Sequence, residues 1–198
     1  MMQSISSSSL VKYKELFESL RNVIDVSEQR VISDEPDVLI VENVNFFTKS
    51  YLVSICSYLE AFLQDVALEY SKQISGRVLS ARIPHNFIHW RLATKLKNNQ
   101  LNYDVISLPV AKKDVADEIS ANPYRTLKLF QLLGVDLSGK DAFESNKDLV
   151  CSIVSKRNNI IHHNDAAADV SFGDLKDYIN VISHYMVAIS EAVDEAIT

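Results

Sequence analysis

Four glycines and four prolines are all that 198 residues offer for tight turns, and this scarcity limits the folds open to the chain more than any other feature. A β-sandwich or barrel of this length needs a turn roughly every ten residues, most of them built on such residues. Helices need far fewer. Hydrophobic residues at 47% and charged residues at 23% are the composition of an ordinary globular chain, large enough for one sizeable core. A single helical domain is therefore expected.

Apolar residues recur with the period of one helix face in four long segments. Leu10, Tyr13, Leu16, Phe17, Leu20, Val23 and Ile24 form the first stripe. Ahead of it the serine-rich MMQSISSSS has nothing to bury, which predicts a flexible tail over residues 1–9. Tyr51, Leu52, Ile55, Tyr58, Leu59, Phe62, Val66 and Tyr70 make a longer stripe suited to the centre of the fold. Residues 144–161 and the stretch from Leu175 to Val193 supply the third and fourth.

The connections read less regularly. Pro36 and the run from Val38 to Val41 suggest an extended link over residues 31–45, and GRVLSAR suggests another before a helix starting near Pro84. KKDVADEIS reads as a short helix, Asn122 as the cap of a helix ending at Gly134, and Ser171 with Asp174 as a capping box. The whole predicts an all-α fold, an up-and-down bundle of four or more long helices with a helical insertion, forming one domain over residues 10–198.

One residue does not fit its stripe. On the third long helix Leu149, Val150, Ile153, Val154, Ile160 and Ile161 share a face, and Arg157 falls within about 20° of its centre. A guanidinium keeps its charge, so this position demands a carboxylate, carbonyl groups or an anion opposite it. Glu60 and Asp65 on the second long helix are candidate carboxylates; a phosphate is the candidate anion. The run RNNIIHHND also brings Asn158, His162 and His163 to a helix end expected at Asn164 and Asp165. Arginine offers a fixed fork to phosphate and histidine exchanges a proton near neutral pH, a pairing suited to phosphodiester cleavage without a metal. On an ideal helix Arg157 and His162 stand about 140° apart, so they meet on one ligand only if the helix ends or loosens between them. The structural alternative is an arginine held by an internal carboxylate beside histidines at a helix C-terminus.

The net charge of −6 argues against a general nucleic-acid binder, but the charge is unevenly spread. No acidic residue lies between Glu69 and Asp104, while Lys72, Arg77, Arg82, Arg91, Lys95 and Lys97 do, with His85 and His89. These six bases leave 14 basic against 26 acidic residues elsewhere, a net of −12. With Phe87, Trp90 and Tyr103 interleaved, the stretch could meet phosphates and stack on bases, with Arg77, Arg82, Arg91, Lys95 and Lys97 as the substrate-binding candidates. It could equally face an acidic surface of the same fold or of a second subunit.

The run RNNIIH, an Arg followed by Asn and then by a His at the end of one long helix and before another, resembles the motif of the HEPN superfamily. SYLEAFLQD on the second long helix and LFQLLGVD ahead of the motif helix support the likeness, from about residue 45 to the end. The resemblance implies a helical bundle acting as a metal-independent endoribonuclease in toxin–antitoxin or defence systems, without a cofactor. It implies a homodimer in which two motif helices build one composite site. In that site His162 would act as general base or acid, Arg157 would stabilise charge on the scissile phosphate, and Asn158 would orient one of them. His163 is the alternative to His162. An antitoxin or neighbouring defence protein is an implied partner. A different class remains open: a non-catalytic helical module binding RNA, a nucleotide or a protein.

The remaining features carry less. Cys56 and Cys151 sit in apolar periodic segments and read as buried free thiols of a cytoplasmic protein. No window is read as a membrane span or a signal peptide. His85 and His89, four apart, make half a metal site at most, so no metal is expected.

Overall fold

The computed structural model describes residues 5–92, 103–163 and 169–197, without the side chains of Ile5, Ser6, Leu92 and His163. Among them are eight helices: α1 (Ile5–Ile32), α2 (Val38–Glu42), α3 (Val44–Ser80), α4 (His85–Leu92), α5 (Lys112–Glu118), α6 (Pro123–Leu132), α7 (Asp141–His163) and α8 (Phe172–Ile197). α1, α3, α7 and α8 form an up-and-down bundle, with α4–α6 inserted between α3 and α7. Side-chain pairs give the directions. Ser9 reaches Glu69 and Ser27 reaches Tyr51, so α1 and α3 run antiparallel. Phe143 stacks on Tyr185 while Lys156 pairs with Asp169 just ahead of α8, so α7 and α8 do too.

α3 is the central element because its apolar positions cover a wide stripe. Leu52, Ile55, Cys56, Leu59, Phe62 and Leu63 are fully buried among side chains of α1, α7 and α8. By length and composition α3 could also cross a membrane, contrary to the sequence expectation; half of its most apolar window is buried in the bundle, as a core helix requires.

Three local expectations are corrected. α1 starts at Ile5, inside the expected tail of residues 1–9, and Ser9 is buried with its hydroxyl donating to Glu69 Oε2 at 3.4 Å. Residues 38–42 are helical and not extended, since Asp37 caps α2 by accepting from Leu39 N at 3.0 Å and Ile40 turns into the core. GRVLS continues α3, with Gly76 tolerated near its C-terminal end; the break comes at Arg82, whose φ is 50°.

The remaining caps form where expected. Asn122 Oδ1 accepts from Tyr124 N at 2.9 Å, and Gly134 follows α6 with a φ of 80°. The Ser171–Asp174 box closes in both directions, at 2.8 and 3.0 Å. Removing the Asn122 cap as Asn122→Ala should cost about 1 kcal/mol in denaturant melts, with the unfolding slope unchanged.

Candidate functional site

Arg157 lies where α7 crosses α3. Its side chain is 18% exposed, and Nη2 donates to Glu60 Oε2 at 3.2 Å while Nη1 donates to Asn158 Oδ1 at 2.9 Å. Glu60, 32% exposed, lines a groove of ≈ 270 Å³ with Ser57, Ala61 and Gln64. The charge on the apolar stripe is thus met by a carboxylate at the edge of the groove. Arg157 Nε is buried without a hydrogen-bond partner among the described residues.

Cys56, read from the sequence only as a buried thiol, is also a neighbour of Arg157. Burial pushes its thiol up to about 12, opposed only in part by the Arg157 guanidinium beside it. It is a neutral thiol against the arginine, not a nucleophile. One turn separates Cys56 from Glu60 on α3, so i to i+4 spacing to a candidate carboxylate was the available signal.

Asp65 is engaged elsewhere. It accepts from Lys12 Nζ and from Tyr13 OH, each at 2.8 Å, and so does not hold Arg157. Burial raises its carboxyl pKa, but the bonds from Lys12 and Tyr13 outweigh that and hold it below the usual value. A depressed folded pKa adds stability that is present above the unfolded value of about 3.9 and is lost as pH falls through the lower folded one. Asp65→Asn should therefore lower the melting temperature at pH 7 and converge with the parent well below pH 3.8. A gap independent of pH would mean that packing is the cause.

α7 continues without interruption through His163. It therefore ends just ahead of Asn164 and neither ends nor loosens between Arg157 and His162, so the two side chains stay about 140° apart. His162 is exposed one turn beyond Arg157. The side chain of His163, and Asn164 and Asp165, lie outside the described residues.

The described basic candidates lie at and beyond the C-terminal end of α3. Arg77 is exposed on its last turn and donates to Ile197 O at 2.9 Å; Arg82 and Arg91 are exposed on the turn and on α4. Lys95 and Lys97 lie outside the described residues. Seventeen residues of α3 separate Glu60 from Arg77, about 25 Å at 1.5 Å per residue, so within one subunit Arg77 does not share a site with Arg157. The His85 and His89 rings lie 6.4 Å apart, and among the described residues no group of three or more His, Cys, Asp or Glu is placed to hold a metal.

A family model described as RiboL-PSP-HEPN matches residues 12–195. The match takes in α1, beyond the expected coverage from residue 45, in keeping with the place of α1 in the four-helix bundle. Comparison with curated proteins and with solved structures found no match. Spanning α1 to α8 and carrying RNNIIH at the end of α7, the chain belongs to the RiboL-PSP-HEPN family, a branch of the HEPN superfamily, and is a nuclease-like or RNA-related module.

Proposed function

We propose that the protein is a metal-independent endoribonuclease of the cytoplasm, acting as a homodimer in a toxin–antitoxin or defence role. The observation that carries this reading is the placement of Arg157, a permanent charge on the face of α7 that buries Val150, Ile153, Val154 and Ile160, five positions before the exposed His162 at the helix end. Family membership supports the same chemistry.

The angle between the two residues argues for the dimer. Side chains about 140° apart on one rigid helix serve one phosphate poorly. Two α7 ends brought together across a two-fold axis let the arginine of one chain and the histidine of the other converge. In such a site His162 removes the proton of the RNA 2′-hydroxyl, whose oxygen attacks the adjacent phosphorus. The partner's His162 protonates the departing 5′-oxygen, and Arg157 carries the charge that builds on the phosphoryl oxygens. Asn158, bonded to Arg157, steadies the guanidinium. The products are a 2′,3′-cyclic phosphate and a 5′-hydroxyl.

Incubating the purified protein with mixed single-stranded RNA and EDTA tests the reading. The expected result is cleavage leaving 2′,3′-cyclic phosphate ends. Cleavage that EDTA abolishes, or that leaves linear 3′-hydroxyl ends, overturns it.

A further inference from the structure

α4 is a short helix that buries little of itself. Phe87 is 51% exposed and Trp90 69%, one turn apart and in edge contact with centroids 6.0 Å apart. Arg91 lays its guanidinium over the Trp90 ring, 5.2 Å from the centroid. Tyr103, 87% exposed, stands beside the base of the helix, because Ile106 N donates to Ile83 O at 2.8 Å and His85 N to Asp104 O at 3.0 Å. These two bonds and the antiparallel bridge between Pro84 and Val105 fix the root of α4 against the returning chain. Three large aromatic rings are thus held out from the bundle on a tethered base.

Charge indicates what such rings meet. Arg82 and Arg91 are exposed here, and no acidic residue occurs between Glu69 and Asp104, in a chain whose net charge is −6. The positive charge is local to α4, because the acidic end of α8 packs on the last turns of α3, where Arg77 donates to Ile197 O at 2.9 Å; an acidic ligand here is held by Arg82 and Arg91 themselves. Flat apolar faces beside fixed positive charges suit a strand whose bases are unpaired and whose backbone is anionic; a duplex hides its base faces.

Resting on the ribonuclease reading, we propose that α4 with Tyr103 is a second contact for single-stranded RNA, in which bases stack on Trp90 and Phe87 and phosphates meet Arg82 and Arg91. The helix between this contact and the Arg157 site sets a scale for the strand. The part of α3 from Glu60 to Ser80 is about 30 Å long, the stacked length of about nine nucleotides at ~3.4 Å each, so the 20-mer is the strand expected to engage both places.

Trp90 is the single tryptophan of the chain, so its fluorescence reads this surface alone. The test titrates His162→Ala protein, which leaves the RNA intact, with a 20-nucleotide uridine homopolymer and with a blunt RNA duplex, in low and high salt. The expected result is quenching by the single strand, weakened by salt and absent with the duplex. Phe87→Ala with Trp90→Ala should weaken binding of the labelled 20-mer roughly 10- to 100-fold by anisotropy, and affect a five-nucleotide strand bound at the motif far less. Saturating RNA that leaves Trp90 unquenched, or equal binding by the double variant, overturns the proposal. A spectral shift that follows protein concentration without RNA also overturns it, since the rings then cover a second copy. The outcomes separate the two readings. Cleavage by the parent without quenching removes the α4 surface and leaves the nuclease; quenching without cleavage removes the nuclease and leaves an RNA-binding module.

Discussion

Replacing His162 by alanine is expected to lower RNA cleavage by roughly 10²- to 10⁴-fold, the range for loss of a general acid or base. The upper end is favoured, because in a symmetric site the substitution removes both the proton acceptor and the proton donor. The fold should be indifferent. His162 is exposed on the last turn of α7, so its loss should change stability by no more than about 0.5 kcal/mol. Parent activity should follow a bell in pH, since one histidine must be neutral and the other charged in the same turnover. Full activity in His162→Ala with loss in His163→Ala would move the role by one residue. The 140° divergence adds a sharper consequence: dimers mixed from a parent chain and an Arg157→Ala/His162→Ala chain should be as inactive as the double variant, because the composite site needs groups from both chains. Half of the parent cleavage in such mixed dimers would mean that each chain supplies a complete site of its own.

The bundle was legible because its determinants are local and periodic. The α3 stripe from Tyr51 to Tyr70 and the caps at Asn122 and Ser171 are patterns of spacing, and spacing is what a sequence states directly. The misread segments are those where neighbours in space decided. Val38–Val41 contains the residue types of a strand, but Asp37 caps it and Ile40 has a core to enter, so it is helical. Gly76 looked like a break, yet one glycine costs a 37-residue helix only about 1 kcal/mol, and packing along α3 exceeds that. At the site, the oddity of Arg157 was legible from its stripe, and a carboxylate partner was one of the readings. Which carboxylate was not, because Glu60 and Asp65 lie on the same helix and only the direction of α1 assigns Asp65 to Lys12 and Tyr13. The proximity of Cys56 to Arg157 likewise depends on how α3 and α7 are laid together.

Arg157→Ala separates the two meanings of the Glu60 pair. If Arg157 serves substrate, its loss should reduce cleavage by roughly 10²- to 10³-fold, the effect of removing one group that stabilises developing charge. Stability should fall by only about 1 kcal/mol, because Glu60 is 32% exposed and water can replace the guanidinium. If the pair instead exists to hold α3 to α7, the order reverses: a truly buried charge left alone costs roughly 3–5 kcal/mol. Arg157→Lys tightens the argument. Lysine restores the charge opposite Glu60 and with it the melting temperature, but not the planar fork with donors toward Glu60 and Asn158, so cleavage should stay low. Glu60→Gln then shows what the carboxylate does in the free enzyme. Without the Glu60 charge Arg157 loses the ion pair while Asn158 still holds it, and a carboxylate that competes with phosphate no longer competes. Weaker cleavage with unchanged RNA affinity would make Glu60 a positioning residue, whereas tighter RNA binding would make it a lock that substrate must displace. Wild-type cleavage in Arg157→Ala at any stability would remove the arginine from the chemistry and leave it as a strut between α3 and α7.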